Sequence, residues 1–542
     1  MVGQTHEERR PKKLIVCCDG TWIDSGNGQL ENTGSHFNPK WEVQEPSNVT
    51  RICRALQCED SDGQPQIVFY QAGVGTGPSL TQRVIGGGTG SGLTENVREA
   101  YCFLANNYSP GDLIYLTGFS RGAFTARSIA ALLDGVGLLT KHAMKHFYWV
   151  FADFENAGNL RYEAQIKNDV HDFKMFLQKD MTEDYVKRRA AYLDAYREQL
   201  MSHKFTQEVD IKAISVWDTV GALGAPTPVL FQRFGVPAFL NPMNWQHPYR
   251  FIDTSISNRV ENAFQALALD ERRSSFTPTV WERPKDCNTN LKQVWFPGTH
   301  SNVGGSYDDT GLADISLAWM MSELEKCGLR FFDDYLHEAW LDNGKEYPAK
   351  ATKKVHHHGP AVLDLSLPRL TGKHHHGQHH HESYASAPSL QELGADHDEP
   401  HWALTRLYNS ATGITAWGGV SNRTPGTYHR VEYETGNATS HPLKDTQEFV
   451  HASVRIRLQA HGTAYDSLGV YSGQALTANG WEIELGEGEA WQWVKRGEKK
   501  VLQEDKLGRF EVMLLREDPD MAEWVLDKGP LRADSVIKVD DE

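Results

Sequence analysis

A serine, an aspartate and a histidine each close an apolar run in this chain, and together they could carry nucleophilic catalysis. The serine lies in Gly118-Phe119-Ser120-Arg121-Gly122. That string fits a G-x-S-x-G turn, in which a serine sits on a sharp strand-to-helix bend with its hydroxyl exposed above a sheet. The flanking glycines suit a place where backbones come too close for a Cβ. Before it, Leu113-Ile114-Tyr115-Leu116 reads as a strand buried on both faces. After it, Ala123, Ala126, Ile129, Ala130 and Leu133 recur at helical spacing, with Gly135 and Gly137 as a stop. The plain alternative is a structural turn serine.

A serine hydroxyl needs a neighbouring base, and the base needs a third group to hold it. Asp218 follows the apolar run Ile211–Val216, and His300 follows Leu291–Phe296 through Pro297-Gly298-Thr299. Taken singly, Asp218 reads equally well as a helix cap and His300 as a satisfied core histidine. Taken together, at strand ends and in the order Ser, Asp, His used by α/β hydrolases, they read as a catalytic triad. Negative charge developing on a substrate oxygen would need backbone donors. The N–H of Arg121 is one candidate, and the turn Asp19-Gly20-Thr21 supplies Gly20 and Thr21 as the other. Asp19, Trp22 and Phe119, beside these donors and the nucleophile, are the candidates for substrate contact.

The elements that must position these residues alternate strand and helix. Strands are expected at Lys13–Cys18, Ile67–Tyr70, Leu113–Leu116, Ile211–Val216 and Leu291–Phe296, with a helix at Thr94–Asn106. Such alternation predicts an α/β protein with a mainly parallel sheet. The stretch "QAGVGTGPSLTQRVIGGGTGSGLTENVREAY" lacks a Walker lysine and a framed G-x-G-x-x-G, so it reads as loop leading into a helix rather than a phosphate cradle. Residues 145–205 are helical in pattern. Tyr185, Val186, Tyr192, Leu193, Tyr196 and Leu200 form an apolar stripe behind an N-cap at Thr182. The stripe is packing surface or, in the sharper reading, a lid over a pocket. Toward the C-terminus "FVHASVRIRLQAHG", "WEIELG" and "FEVMLL" read as β-like.

Composition narrows the partners. The chain has 542 residues, with 55 basic against 71 acidic side chains and a formal net charge of −16. That balance argues against nucleic acid as the main partner, since phosphate neutralisation needs clustered Lys and Arg. No apolar run reaches the roughly 18 residues of a membrane span, and the N-terminus has no signal-peptide pattern, so a cytoplasmic location is expected. The 7 cysteines lack C-x-x-C pairing and fit reduced, mostly buried thiols. Three His-His-His runs, at 356–358, 374–376 and 379–381, sit in a Gly-, Pro- and Lys-containing stretch. They read as a solvated low-complexity insertion without the mixed ligands of a catalytic metal site.

Four blocks carry a resemblance: "LIVCCDGTW", "GSGLTENVREAYCFLANNYSPGDLIYLTGFSRGAFTAR", "VWDTVGALGAP" and "ALALDERRSSFTPTVWERP…LKQVWFPGTHSNVGG". They resemble the uncharacterised α/β-hydrolase domain family of fungi and bacteria, whose bacterial relatives include phospholipase effectors of type VI secretion. The resemblance covers about residues 12–325. It implies an α/β-hydrolase fold and serine esterase chemistry on acyl esters, carried by Ser120, Asp218 and His300, with Asp19, Gly20 and Thr21 less firmly placed. The resulting expectation has four parts. Residues 1–12 form a flexible N-terminus, 13–345 a hydrolase domain with a helical insertion at 145–205, 346–400 a His-rich insertion, and 401–542 a β-containing extension packed on the core. The expected activity is a lipase- or phospholipase-like serine hydrolase acting through an acyl-enzyme, with no cofactor and no metal. The partner would be an acyl ester or lipid. The rival expectation is a catalytically silent scaffold that keeps the fold and binds a partner.

Overall fold

The computed structural model describes residues 10–20, 30–32, 41–43, 45–73, 91–173, 182, 184–220, 255–350, 400–412, 419–431, 438–466, 468–486 and 490–528. Thr21, Trp22, the glycine-dense stretch at 74–90 and the three histidine runs lie outside them.

One ten-stranded sheet organises the chain. Its strands are β1 (Lys13–Cys18), β2 (Gln66–Gln71), β3 (Leu113–Phe119), β4 (Ile211–Trp217), β5 (Val260–Ala268), β6 (Asn290–Phe296), β7 (Glu448–Val450), β8 (Trp481–Leu485), β9 (Trp491–Lys495) and β10 (Lys500–Glu504). The spatial order is β8-β9-β10-β7-β6-β5-β4-β3-β1-β2. Pairing is parallel from β2 across to β10 and antiparallel only where β9 meets β10 and β8. The C-terminal residues therefore extend the same sheet that the N-terminal residues begin.

Parallel strands must be covered on both faces, and their side chains alternate between the two. In β1, Ile15 and Cys17 face one core while Leu14, Val16 and Cys18 face the other. The first core is covered by α1 (Asn48–Ala55), α7 (Gly311–Lys326), α8 (Tyr335–Lys350), α9 (Ala452–Gln459) and α10 (Arg509–Arg516). The second lies under α2 (Ser91–Asn107), α3 (Arg121–Val136), α4 (Phe147–Glu155) and α5 (Tyr185–Ser202). The sixth helix, α6 (His300–Gly304), is a single turn following β6. From β1 the chain passes to β2 on one side and to β3 on the other. Open α/β sheets place their ligands beyond the carboxyl ends of the strands at such a reversal, here the ends of β1 and β3.

The five expected strands and the helix expected at Thr94–Asn106 are present: Lys13–Cys18 has the expected bounds, and the others are longer by one to four residues. Helix α5 begins differently. Its cap is Asp184, whose carboxylate accepts the Lys187 N–H at 3.0 Å, whereas Thr182 Oγ1 accepts only from Asp184 N–H, at 3.3 Å. Half of the stripe on α5 is packing surface: α5 lies against α3, and Tyr192, Tyr196 and Leu200 are buried in the second core, whereas Tyr185 and Leu193 are half-buried and Val186 is exposed.

Two β-like readings are corrected. Residues 452–459 form α9, because its alternating arginines are buried with the apolar residues. Arg455 holds Glu504 (Nε to Oε2 2.8 Å), and Arg457 donates to the carbonyls of Ala403, Thr405 and Thr463. A helix buried all round loses its period-3.6 signature. "FEVMLL" lies in α10, which starts where Glu511 Oε2 accepts the Gly508 N–H at 2.6 Å. All 7 cysteines are free thiols, with Cys17, Cys18, Cys287 and Cys327 buried. No helix among the described residues is long and apolar enough to cross a membrane.

Candidate active site

Ser120 stands between β3 and α3 at φ 57°, ψ −119°. A positive φ is costly for a residue with a side chain, and such strain persists only where the surroundings enforce it. Here the enforcement is visible. The Ser120 N–H donates to Trp217 O at 3.0 Å, tying the turn to the end of β4. A Cβ on Gly118 would stand 2.5 Å from Gly122 O, and one on Gly122 would stand 2.1 Å from Cys18 O. Both glycines are thus required by the crossing of α3 over β1. Ser120 is 8% exposed.

Asp218 is the residue after β4. Its N–H donates to Ala266 O at 2.7 Å, so β5 fixes its backbone. Its carboxylate is buried and fully bonded. Oδ1 accepts Ala268 N–H (3.0 Å) and Arg423 Nη1 (3.1 Å), and Oδ2 accepts His300 Nδ1 (2.6 Å) and Arg423 Nη2 (3.0 Å). Burial pushes the carboxyl up, but Arg423 and then His300 outweigh it and hold Asp218 well below the usual carboxylate range. An ionised carboxylate only accepts, so Nδ1 of His300 carries the proton and Nε2 is left with its lone pair.

His300 opens α6. Its N–H donates to Glu271 Oε2 at 3.2 Å. Its ring lies 4.6 Å from that of Phe119, the residue before Ser120, and meets Phe276 edge-on at 4.9 Å. Phe119 is 1% exposed, and a Cβ on Gly304 would run into its ring at 2.0 Å. The ring therefore acts as a platform between the elbow and α6. The structure thus brings Ser120, Asp218, His300 and Phe119 to one place. Ser120 Oγ and the imidazole are not hydrogen-bonded to each other in this structure; such contacts commonly tighten only when substrate binds. Glu271 is buried, and although burial pushes its carboxyl up, Arg273 holds it down to about 2.

Asp19 and Gly20 follow β1 and lie against the elbow, since a Cβ on Gly122 would stand 2.4 Å from Asp19 O. The Asp19 carboxylate accepts from Ser47 Oγ (2.6 Å), Thr50 Oγ1 (2.9 Å), Tyr70 OH (2.8 Å) and Gly20 N–H (2.6 Å). Burial raises its pKa against those four donors. These bonds turn Asp19 toward α1 and engage the Gly20 N–H. Ser47 in turn bridges Gly305, the residue after α6, so the same network braces the helix that carries His300. Arg121 occupies the first position of α3, where helix geometry directs N–H groups outward along the axis. Arg423, Glu271 and Phe276 were not among the sequence candidates. Among the described residues no group of three or more His, Cys, Asp or Glu could hold a metal ion.

A large, mainly parallel sheet with helices on both faces defines a mixed α/β protein, and its strained serine beyond the carboxyl edge marks a candidate site. Residues 12–323 match the family described as "T6SS, Phospholipase effector Tle1-like, catalytic domain". The chain belongs to that family. It is also 23% identical over 425 residues to an uncharacterised Saccharomyces cerevisiae protein, YEL023C, a match covering 60% of this chain and 59% of the yeast one. An uncharacterised protein from Pseudomonas aeruginosa, known from a crystal structure, matches 59% of this chain and 46% of its own at 16% identity, with a TM-score of 0.28. The chain thus spans less than two thirds of the length of either relative.

Proposed function

We propose that the chain is a serine hydrolase of carboxylic acyl esters, lipase- or phospholipase-like, working through Ser120, His300 and Asp218. The carrying observation is the strained Ser120 between two sterically required glycines, with an imidazole tethered to a buried carboxylate beside it. The family's description, a phospholipase effector catalytic domain, supports an ester of a lipid as substrate.

In the first half-reaction Nε2 of His300 takes the Ser120 Oγ proton as Oγ bonds to the acyl carbon. Asp218 stabilises the resulting imidazolium. The oxyanion forms beside Ser120, where the Arg121 N–H and a donor from the residues after β1 would receive it. Asp19 already holds the Gly20 N–H, which favours Thr21 as that donor. Collapse expels the alcohol, which takes the proton from Nε2 and leaves an acyl-Ser120. Water, deprotonated by Nε2, then releases the acid and restores the serine.

The test is labelling by a fluorophosphonate with peptide mapping, paired with Ser120→Ala. The label is expected on Ser120. Ser120→Ala should lose turnover of p-nitrophenyl butyrate and of phosphatidylcholine vesicles while unfolding at the wild-type temperature. Full activity in that variant would refute the assignment.

A further inference from the structure

Arg423 reaches Asp218 from 205 residues away in sequence. It lies outside the region 12–323 that matches the family. Its guanidinium fork grips both carboxylate oxygens, at 3.1 and 3.0 Å, and Nη2 also donates to Phe276 O at 2.7 Å. The Phe276 ring is the one that meets His300 edge-on. Asp218 and Arg423 are buried, at 0% and 4% exposure. The segment that carries the arginine is itself fastened. Ser421 N–H donates to Arg272 O (2.9 Å), Asn479 Nδ2 donates to Arg423 O (3.2 Å), and Gly426 N–H donates to Glu448 Oε2 (2.9 Å).

We propose that Arg423 is a positioning residue of this site: it locks the Asp218 carboxylate with Oδ2 toward His300 and divides that carboxylate's charge between two cations. This role rests on the hydrolase reading above. A planar fork matched to a carboxylate fixes rotation about Cβ–Cγ, which a single hydrogen bond does not. With Ala268 N–H and His300 Nδ1 on the remaining lone pairs, the carboxylate has one stable orientation. The second consequence is electrostatic. Both Arg423 Nη2 and His300 Nδ1 bond Oδ2, so a protonated imidazole faces a neighbouring cation. That neighbour opposes a positive charge on the imidazole. The other charged pair facing His300, Glu271 with Arg273, approaches through the backbone N–H. The residues of the family's catalytic region thus hold all three triad members but not the group that sets their balance, which the C-terminal segment supplies.

The experiment uses the full chain with Arg423→Met and Arg423→Lys. kcat/KM for p-nitrophenyl butyrate is followed from pH 4 to 9, alongside the rate of fluorophosphonate labelling of Ser120. In Arg423→Met the acid limb should move up by about one to two pH units, the scale on which a charge within ~4–6 Å acts. Loss of structure alone would lower activity at every pH without moving that limb. In Arg423→Lys the charge remains but the fork is gone. Its limb should stay near the wild-type position, while labelling slows by about tenfold or more. An unmoved limb in a folded Arg423→Met, or wild-type labelling in Arg423→Lys, would overturn the role. Should circular dichroism show Arg423→Met unfolded, the lysine variant decides alone. A wild type not labelled at Ser120 would overturn the hydrolase reading and this role with it, whereas labelling with an unmoved limb overturns the role of Arg423 only.

Discussion

Replacing Gly122 by alanine places a methyl group where two carbonyl oxygens already are. Its Cβ would lie 2.1 Å from Cys18 O and 2.4 Å from Asp19 O, both backbone atoms. Ordinary contact needs about 3.5 Å, so α3 and the end of β1 must part by about 1 Å. Neither is free to move. Cys18 is paired with Gln71 on one side and Gly118 on the other. Overpacking of this kind costs about 1–3 kcal/mol, and backbone neighbours put it at the upper end or beyond. At about 2.1 cal/mol/K of unfolding entropy per residue, 3 kcal/mol lowers the melting temperature of a chain this long by about 3 °C. The effect on chemistry should be larger, because Ser120 rides on the displaced turn. A shift of 1 Å in a reacting group costs on the order of 10²-fold. Gly344, in α8, is the control, since a Cβ added there would meet nothing within 4 Å. Gly344→Ala should stabilise by about 0.5–1 kcal/mol and leave labelling unchanged. Calorimetry and the fluorophosphonate rate measure both. A Gly122→Ala protein with wild-type melting and wild-type labelling would refute the elbow geometry.

Two further outcomes follow from the buried charges. Asp218→Asn should lower kcat by on the order of 10⁴, as a wrong imidazole tautomer does in serine proteases; a loss under tenfold would remove Asp218 from the triad. His451, stacked 4.5 Å from Phe296 and bonded to Glu511 Oε1 at 2.7 Å, has its pKa pushed by burial down to about 4. An unfolded imidazole binds its proton near about 6.5. Between these values the unfolded imidazole holds a proton that the folded one lacks, so the contribution of His451 to stability falls as pH drops from 6.5 to 4, while its partner Glu511, whose carboxyl burial pushes well above the usual range, works in the opposite sense. In His451→Gln the dependence of unfolding free energy on pH across that window should be shallower than in the wild type. Equal slopes would refute it.

Ser120, Asp218 and His300 were legible as candidates because each follows a strand rich in apolar residues, directly or, for His300, after Pro297-Gly298-Thr299, so a reactive side chain stands out at the boundary. Strand β5 was not legible. It carries Gln265 inside the sheet, wholly buried, accepting from Thr219 Oγ1 at 2.9 Å and donating to Thr279 O at 3.2 Å. Strand β6 carries a buried Gln293 as well, but Pro297-Gly298 marks its end, whereas β5, interrupted by Glu261, Asn262 and Gln265, runs on into Leu269-Asp270 without such punctuation. Helix α9 was misread for a related reason, since Arg455 and Arg457 look like solvent-facing positions until their partners are known. Arg423 had no local signal at all. An arginine in "SNRTPG" becomes part of the site only through a carboxylate that the fold delivers. The bonding of Asp19 had no local signal either, because its four donors come from three separate elements.

The pairing of β6 with β7 sets a timetable for biosynthesis. Strand β6 emerges from the ribosome with Leu291, Val294 and Trp295 committed to the core, yet its outer partner at Glu448–Val450 is made about 150 residues later. At about 5–20 residues per second the wait is on the order of 10 s. Throughout it, β6 presents an uncapped edge of the kind that recruits other chains. The nascent protein is therefore most prone to misassociation after Ser120, Asp218 and His300 have been synthesised and before the sheet is closed, and slowing translation within residues 300–445 should lower soluble yield more than slowing it anywhere upstream.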